Sequence, residues 1–149
     1  MNTEAEIVAS YLAEIKLFSG KYKWSDKGHI DYIEVTIPLI CSAMPEINGE
    51  LRMTAHRTRT PQKFSFTLLA GSVRIAALDV NPGSTHFNTR TLTSVSGTHW
   101  HWYPDLDAEL DERPLSHGEW LSEFCDQARI SLDAPYEPPP HDPVQLELL

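Results

Sequence analysis

Residues 63–80 read KFSFTLLAGSVRIAALDV, and their pattern decides the fold class. Phe64, Phe66 and Leu68 alternate with Ser65 and Thr67, the period of a strand with one buried face. Gly71-Ser72 marks a tight hairpin, from which VRIAALDV returns. In a regular return strand Val73, Ile75, Ala77 and Asp79 share one side. Such a hairpin belongs to an antiparallel sheet.

The same reading extends in both directions. In IDYIEVTIPLI (30–40), Ile33, Val35, Ile37 and Leu39 form one face, and Pro38 places this strand at an edge. In ELRMTAHRT (50–58), Leu51, Met53 and Ala55 oppose Arg52, Thr54 and His56. The segment 85–96, rich in Thr and Ser, reads as half strand and half loop, and THWHWYP (98–104) as the last strand. Residues 3–20 read as a helix, with a Thr3/Glu6 capping box, a stripe of Ile7, Tyr11, Ile15 and Phe18, and Gly20 as its stop. After an acidic loop (105–115), Ser116 and Glu119 open a second helix whose Trp120, Leu121, Phe124 and Ala128 face the core. The expected fold is α+β: a mainly antiparallel sheet of about five to six strands flanked by an N-terminal and a C-terminal helix. Residues 1–133 form one domain, and the proline-rich acidic tail 134–149 is loosely docked or disordered.

Composition narrows the setting. No apolar run is long enough to cross a bilayer, and MNTEAEIVAS lacks the basic-then-apolar pattern of a secretion signal. Cys41 and Cys125 stand alone, as expected of buried thiols in a reducing cytoplasm. The net charge of −9 is unevenly spread. Residues 1–103 carry ten Lys/Arg and nine Asp/Glu, whereas residues 104–149 carry two and twelve. Between Arg52 and Arg90 six cations, Arg57 and Arg59 among them, accompany one carboxylate, Asp79. Such a middle segment suits a polyanion, and the acidic third suits a basic partner; solvated strand faces explain the same charges more plainly.

The stretch 83–105, GSTHFNTRTLTSVSGTHWHWYPD, concentrates the chemistry. On a strand His99 and His101 share one face while Trp100 and Trp102 bury on the other. His86 and Asn88, also two apart, would join them from a neighbouring strand, with Arg74, Asp79, Arg90 and Tyr103 at the rim. Three readings compete. The histidines are satisfied polar residues of a half-exposed sheet. Alternatively, His86, His99 and His101 bind a divalent ion, with Asp79 or Asp105 behind them, as in a hydrolase or oxygenase. In the third reading the cluster cleaves RNA without metal or other cofactor. His86 and His101 then divide the roles of base and acid, His99 orients or binds phosphate, and Arg74 or Arg90 stabilises the transition state.

The stretches VRIAALDVNPGSTHFN and GTHWHWYPD resemble the signature of small TumE-like toxins and related uncharacterised prophage proteins, over about residues 50–130. The resemblance implies a RelE-like ribonuclease fold class, RNA as target and a protein antitoxin as partner. It implies Arg74, His86, Asn88, His99 and His101 as the functional set; charge and position along the chain add Arg90, Tyr103, Arg57 and Arg59 as expected substrate contacts. The leading expectation is therefore a toxin-like, metal-independent ribonuclease. A non-catalytic accessory protein that binds a host protein through its acidic third is the alternative, and a histidine-ligated metalloenzyme the second. Oligomeric state is open.

Overall fold

The computed structural model describes residues 2–26, 28–81, 85–88 and 93–143. It is α+β, with a six-stranded antiparallel sheet, one helix near each end of the chain and two small two-stranded sheets.

The large sheet is a meander. Tyr32–Leu39 (β2), Gly49–His56 (β3), Phe64–Ala70 (β4) and Val73–Val80 (β5) follow in order, then His99–Trp102 (β8) and Ala108–Leu110 (β9). Between β5 and β8 the chain makes a separate hairpin, Thr85–Asn88 (β6) with Thr93–Ser96 (β7), beside β9. One sheet face is apolar. Ile33, Val35, Ile37, Leu51, Met53, Phe66, Leu68 and Leu78 are at most 4% exposed and form the core. This face is covered by His117–Ala128 (α2), where Phe124 stacks on both Phe66 and Trp100. The opposite face carries a cross-strand row of Glu34, Thr54, Ser65, Asp79 and His99, set by the strand register.

The helix predicted over 3–20 ends much sooner. Glu4–Ala13 (α1) stops because Lys16, fully buried, turns its ammonium onto the helix end, at 2.6 Å from the Tyr11 and Glu14 carbonyls and 3.3 Å from that of Leu12. Carbonyls at a helix end are incompletely paired within the helix, that of Tyr11 accepting only the Glu14 capping amide, and a cation there also complements the helix dipole. The chain then runs as Lys16–Ser19 (β1), which pairs in parallel with Ile130–Asp133 (β10). Ile15, assigned to the helical stripe, is instead 53% exposed. β9 and β10 are further strands that the reading left in a loop and at a helix end. Both were hidden by short length and, in β9, by acidic composition. The edge position of β2 and the second capping box agree with the sequence reading.

The tail is docked along residues 134–143. Trp24 Nε1 donates to the Glu137 carbonyl, the Glu137 amide to Tyr22 Oη, Gln62 to the Pro140 carbonyl and the Asp142 amide to the Arg57 carbonyl. No helix among the described residues is long and apolar enough to cross a membrane.

Gly49 lies directly against Tyr11 of α1: a Cβ there would overlap the Tyr11 hydroxyl, which is buried without a hydrogen-bond partner among the described residues. Gly49→Ala should therefore destabilise the fold by about 1–3 kcal/mol in denaturant melts. Tyr11→Phe should be neutral or stabilising alone and should recover most of that loss in the double variant. Additive single effects would show that the two positions do not interfere.

Candidate functional site

The polar face of β5 and β8 holds the site. Asp79 lies directly opposite His99, and Ala77 opposite His101, so the carboxylate and both imidazoles project from one surface. Trp100 and Trp102 stack on the other surface, with centroids 5.6 Å apart, and fix the strand from behind. The alternation of histidine and tryptophan positions the site as the sequence implied.

Each imidazole is held at both nitrogens. His99 Nδ1 lies 2.7 Å from the Gly97 carbonyl, and His101 Nδ1 lies 2.6 Å from the Leu106 carbonyl. A carbonyl only accepts, so both Nδ1 atoms carry hydrogen. The two Nε2 atoms face one oxygen, Asp79 Oδ2, at 3.5 Å from His99 and 3.0 Å from His101. The rings meet edge to face with centroids 4.8 Å apart. Both holding carbonyls come from left-handed backbone, Gly97 at φ 86° and Leu106 at φ 58°. Glycine accepts this conformation readily; for leucine it is strained, and such strain concentrates at functional sites.

Burial is graded across the cluster. His99 and His101 are 4% and 2% exposed, while the Asp79 side chain is 34% exposed and forms the solvent side. Burial acts to raise the Asp79 pKa, but the hydrogen bonds from His101 and His99 together outweigh it and hold the carboxyl well below its usual range. The Asp79 hydrogen bond raises the His99 pKa against the opposing effects of burial and of Arg74. The Arg74 guanidinium lies 3.9 Å from Asp79 Oδ2 and is 42% exposed.

The residues expected to act together separate into three groups. Arg74, His99 and His101 converge, and Asp79, expected at the rim or behind a metal, stands at the centre. His86 and Asn88 lie on β6, which pairs with β7 and not with β8, so they do not enter on a strand adjacent to His99; their side chains, and Arg90 altogether, lie outside the described residues. Two of the other expected contacts have partners elsewhere: Tyr103 donates to Glu4 on α1, and Arg57 pairs with Asp26 at 3.2 Å. Arg57 and Arg59 follow β3, three strands from β8. Asp105 accepts from the Asp107 amide in the turn that presents Leu106.

Asp79, His99 and His101 each offer one ligand atom, all within 4.8 Å of one another. Two imidazoles and a carboxylate form a donor set for a divalent first-row ion, and each Nδ1–H bonded to a carbonyl is the outer-shell support such ligands use. Comparison of the chain with family models, curated protein sequences and solved structures gave no match.

The raised His99 pKa has a consequence for metal-free protein. Its contribution to stability is complete below the unfolded value of about 6.5 and is lost as pH rises through the higher folded value. His117, pushed down to about 4 by burial, acts with the opposite sign, but only between about 4 and 6.5. In chelator the melting midpoint should therefore fall as pH rises above about 6.5, and His99→Gln should flatten that slope. Equal slopes in both proteins would contradict the His99–Asp79 pairing.

Proposed function

We propose that Asp79, His99 and His101 hold a divalent first-row metal ion and that the chain is a metal-dependent hydrolase. The observation that carries this reading is the use of the ring nitrogens. With hydrogen fixed on both Nδ1 atoms, each imidazole either donates Nε2–H to Asp79 Oδ2, as in the metal-free chain, or, once neutral, turns a lone pair toward that oxygen, which is itself an acceptor. Three lone pairs directed at one region call for a cation between them. The alternative gathers two imidazolium ions and the Arg74 guanidinium around a single carboxylate, leaving excess positive charge on rings almost closed to water. The separations of 3.0 and 3.5 Å from Asp79 Oδ2 also suit donors sharing one ion, since ligands at about 2.0–2.2 Å lie roughly 3.0–3.5 Å from each other; the full set, which spans up to 4.8 Å, would draw together around it.

Metal-independent cleavage of RNA asks something different of these side chains. A histidine acting as acid or base must present a nitrogen to the substrate, within about 2.6–3.2 Å. Here both nitrogens of each ring face protein groups. RNA cleavage at this centre, the toxin-type expectation, would accordingly depend on the ion.

Three protein ligands leave a position for water, and the ion lowers the pKa of that water toward neutrality to supply hydroxide. Asp79, the most exposed ligand, marks the side from which water and substrate reach the ion. The Gly97 and Leu106 carbonyls keep both imidazoles in the tautomer that ligation requires.

Calorimetry with zinc and elemental analysis should give one ion per chain and a higher melting midpoint in the loaded protein. Asp79→Ala, His99→Ala and His101→Ala should each weaken binding by roughly 100-fold or more, in chains shown to be folded by circular dichroism. Acidification should weaken binding by protonating the imidazoles. The reading fails if zinc, iron(II), manganese, cobalt and nickel all leave the folded protein unbound, or if the three variants bind as the parent does.

A further inference from the structure

Arg74 and Asp79 are five residues apart on one strand, an odd spacing that in regular β-structure puts them on opposite faces. They nevertheless meet on the same face. Between β4 and β5 the register shifts: Leu68 faces Ala76, whereas Leu69 faces Arg74, so Ile75 is an extra, bulged residue. Ile75 is buried in the core, and its carbonyl accepts the Tyr103 amide at 2.9 Å, which ties the bulge to the end of the histidine strand. The result is to swing Arg74 onto the surface of Asp79, His99 and His101. Bulges beside active sites commonly re-aim a side chain in this manner.

The guanidinium so placed is available. It is 42% exposed, lies 3.9 Å from Asp79 Oδ2, beyond hydrogen-bonding distance, and makes no hydrogen bond among the described residues. A guanidinium offers five N–H donors in a planar fork matched to paired oxygens. It stands at the exposed carboxylate ligand, where a substrate oxygen would approach the ion. We propose that Arg74 and the metal ion together form an oxyanion subsite, and that the substrate is a phosphate ester engaged through a single phosphoryl group. This rests on the metal reading and adds the substrate class to it. One phosphoryl oxygen would bind the ion while the remaining unesterified oxygen or oxygens accept from Arg74.

The reaction this subsite supports is ester hydrolysis. The oxygen of the ion-bound hydroxide forms a bond to phosphorus as the bond from phosphorus to the ester oxygen breaks. The departing oxygen takes up the proton that the water lost on ionising, so the products are an alcohol and a phosphate with one ester link fewer. Arg74 holds the charge that grows on the phosphoryl oxygens. The neighbouring charges favour a compact phosphate ester over a long polyanion. The turn that presents Leu106 carries Asp105 and Asp107, while Arg57 and Arg59 lie three strands away.

The test is titration of inorganic phosphate into the zinc-loaded chain, with parent, Arg74→Lys and Arg74→Ala compared at equal zinc content. Arg74→Ala should bind phosphate at least about tenfold more weakly, and Arg74→Lys should fall between, keeping the charge but losing the fork. Hydrolysis of p-nitrophenyl phosphate or its bis-ester should follow the same order. Phosphate binding that is absent, or equal in all three proteins, overturns the subsite. A short RNA bound far more tightly than inorganic phosphate, with the same dependence on Arg74, overturns the single-phosphoryl class. If the chain binds none of zinc, iron(II), manganese, cobalt and nickel, the metal reading fails separately. Phosphate is then titrated into the metal-free chain, where binding lost in Arg74→Ala supports the subsite and no binding overturns it.

Discussion

The site depends on two hydrogen bonds from ring to backbone. His99 donates Nδ1–H to Gly97 and His101 donates Nδ1–H to Leu106, and these bonds fix ring orientation and tautomer together. Everything that faces Asp79 follows from them, because a ring held at Nδ1 has only Nε2 to offer. The fold supports the arrangement from three sides. Trp100, between the histidines, anchors β8 on α2, the left-handed residues at 97 and 106 aim their carbonyls, and the register of β5 brings Asp79 opposite. For Leu106 the left-handed conformation costs of order 1 kcal/mol or more. The adjoining turn is held by the Leu106 amide on the Trp102 carbonyl.

Local periodicity made much of this legible. The alternation in 32–39, 49–56 and 64–70 gave the buried faces because each of these strands has one apolar side and one wet one. His99 and His101 were readable as a pair for the same reason. The Asp79 position was harder to read. Alternation carried from Val73 to Asp79 groups Ile75 with Ala77 and Asp79, but the bulge sends Ile75 into the core and leaves Asp79 with the histidines. A bulge adds one residue without a distinctive composition, so the faces exchange silently. The α1 stripe misled differently. Ile15 and Phe18 continue a helical spacing, and only the buried Lys16 on the helix carbonyls, a tertiary feature, ends the helix at Ala13. Arg57, Arg59 and Tyr103 were grouped with the site by charge and proximity along the chain, neither of which carries information about strand order.

Two histidine environments in one small domain show how location sets chemistry. His117 sits among Trp24, Phe64 and Phe66, and burial pushes its pKa down to about 4, so it is a neutral packing ring. His99 is also buried, yet the Asp79 carboxylate moves its pKa up. His99 is the less exposed of the two, yet its pKa moves the other way, and the difference is one charged acceptor. The same acceptor makes the second cluster a place for a cation, whether a proton or a metal ion, and the raised His99 pKa is the proton's version of the metal's affinity.

The tautomer is the part of this account most directly open to measurement. Long-range proton–nitrogen NMR spectra of the histidine rings distinguish a nitrogen that carries hydrogen from one that binds an ion. In zinc-loaded protein at neutral pH, His99 and His101 should both show hydrogen on Nδ1 and a metal-shifted Nε2. Spectra in which either ring keeps hydrogen on Nε2, unchanged by zinc, would contradict a centre built on Asp79, His99 and His101.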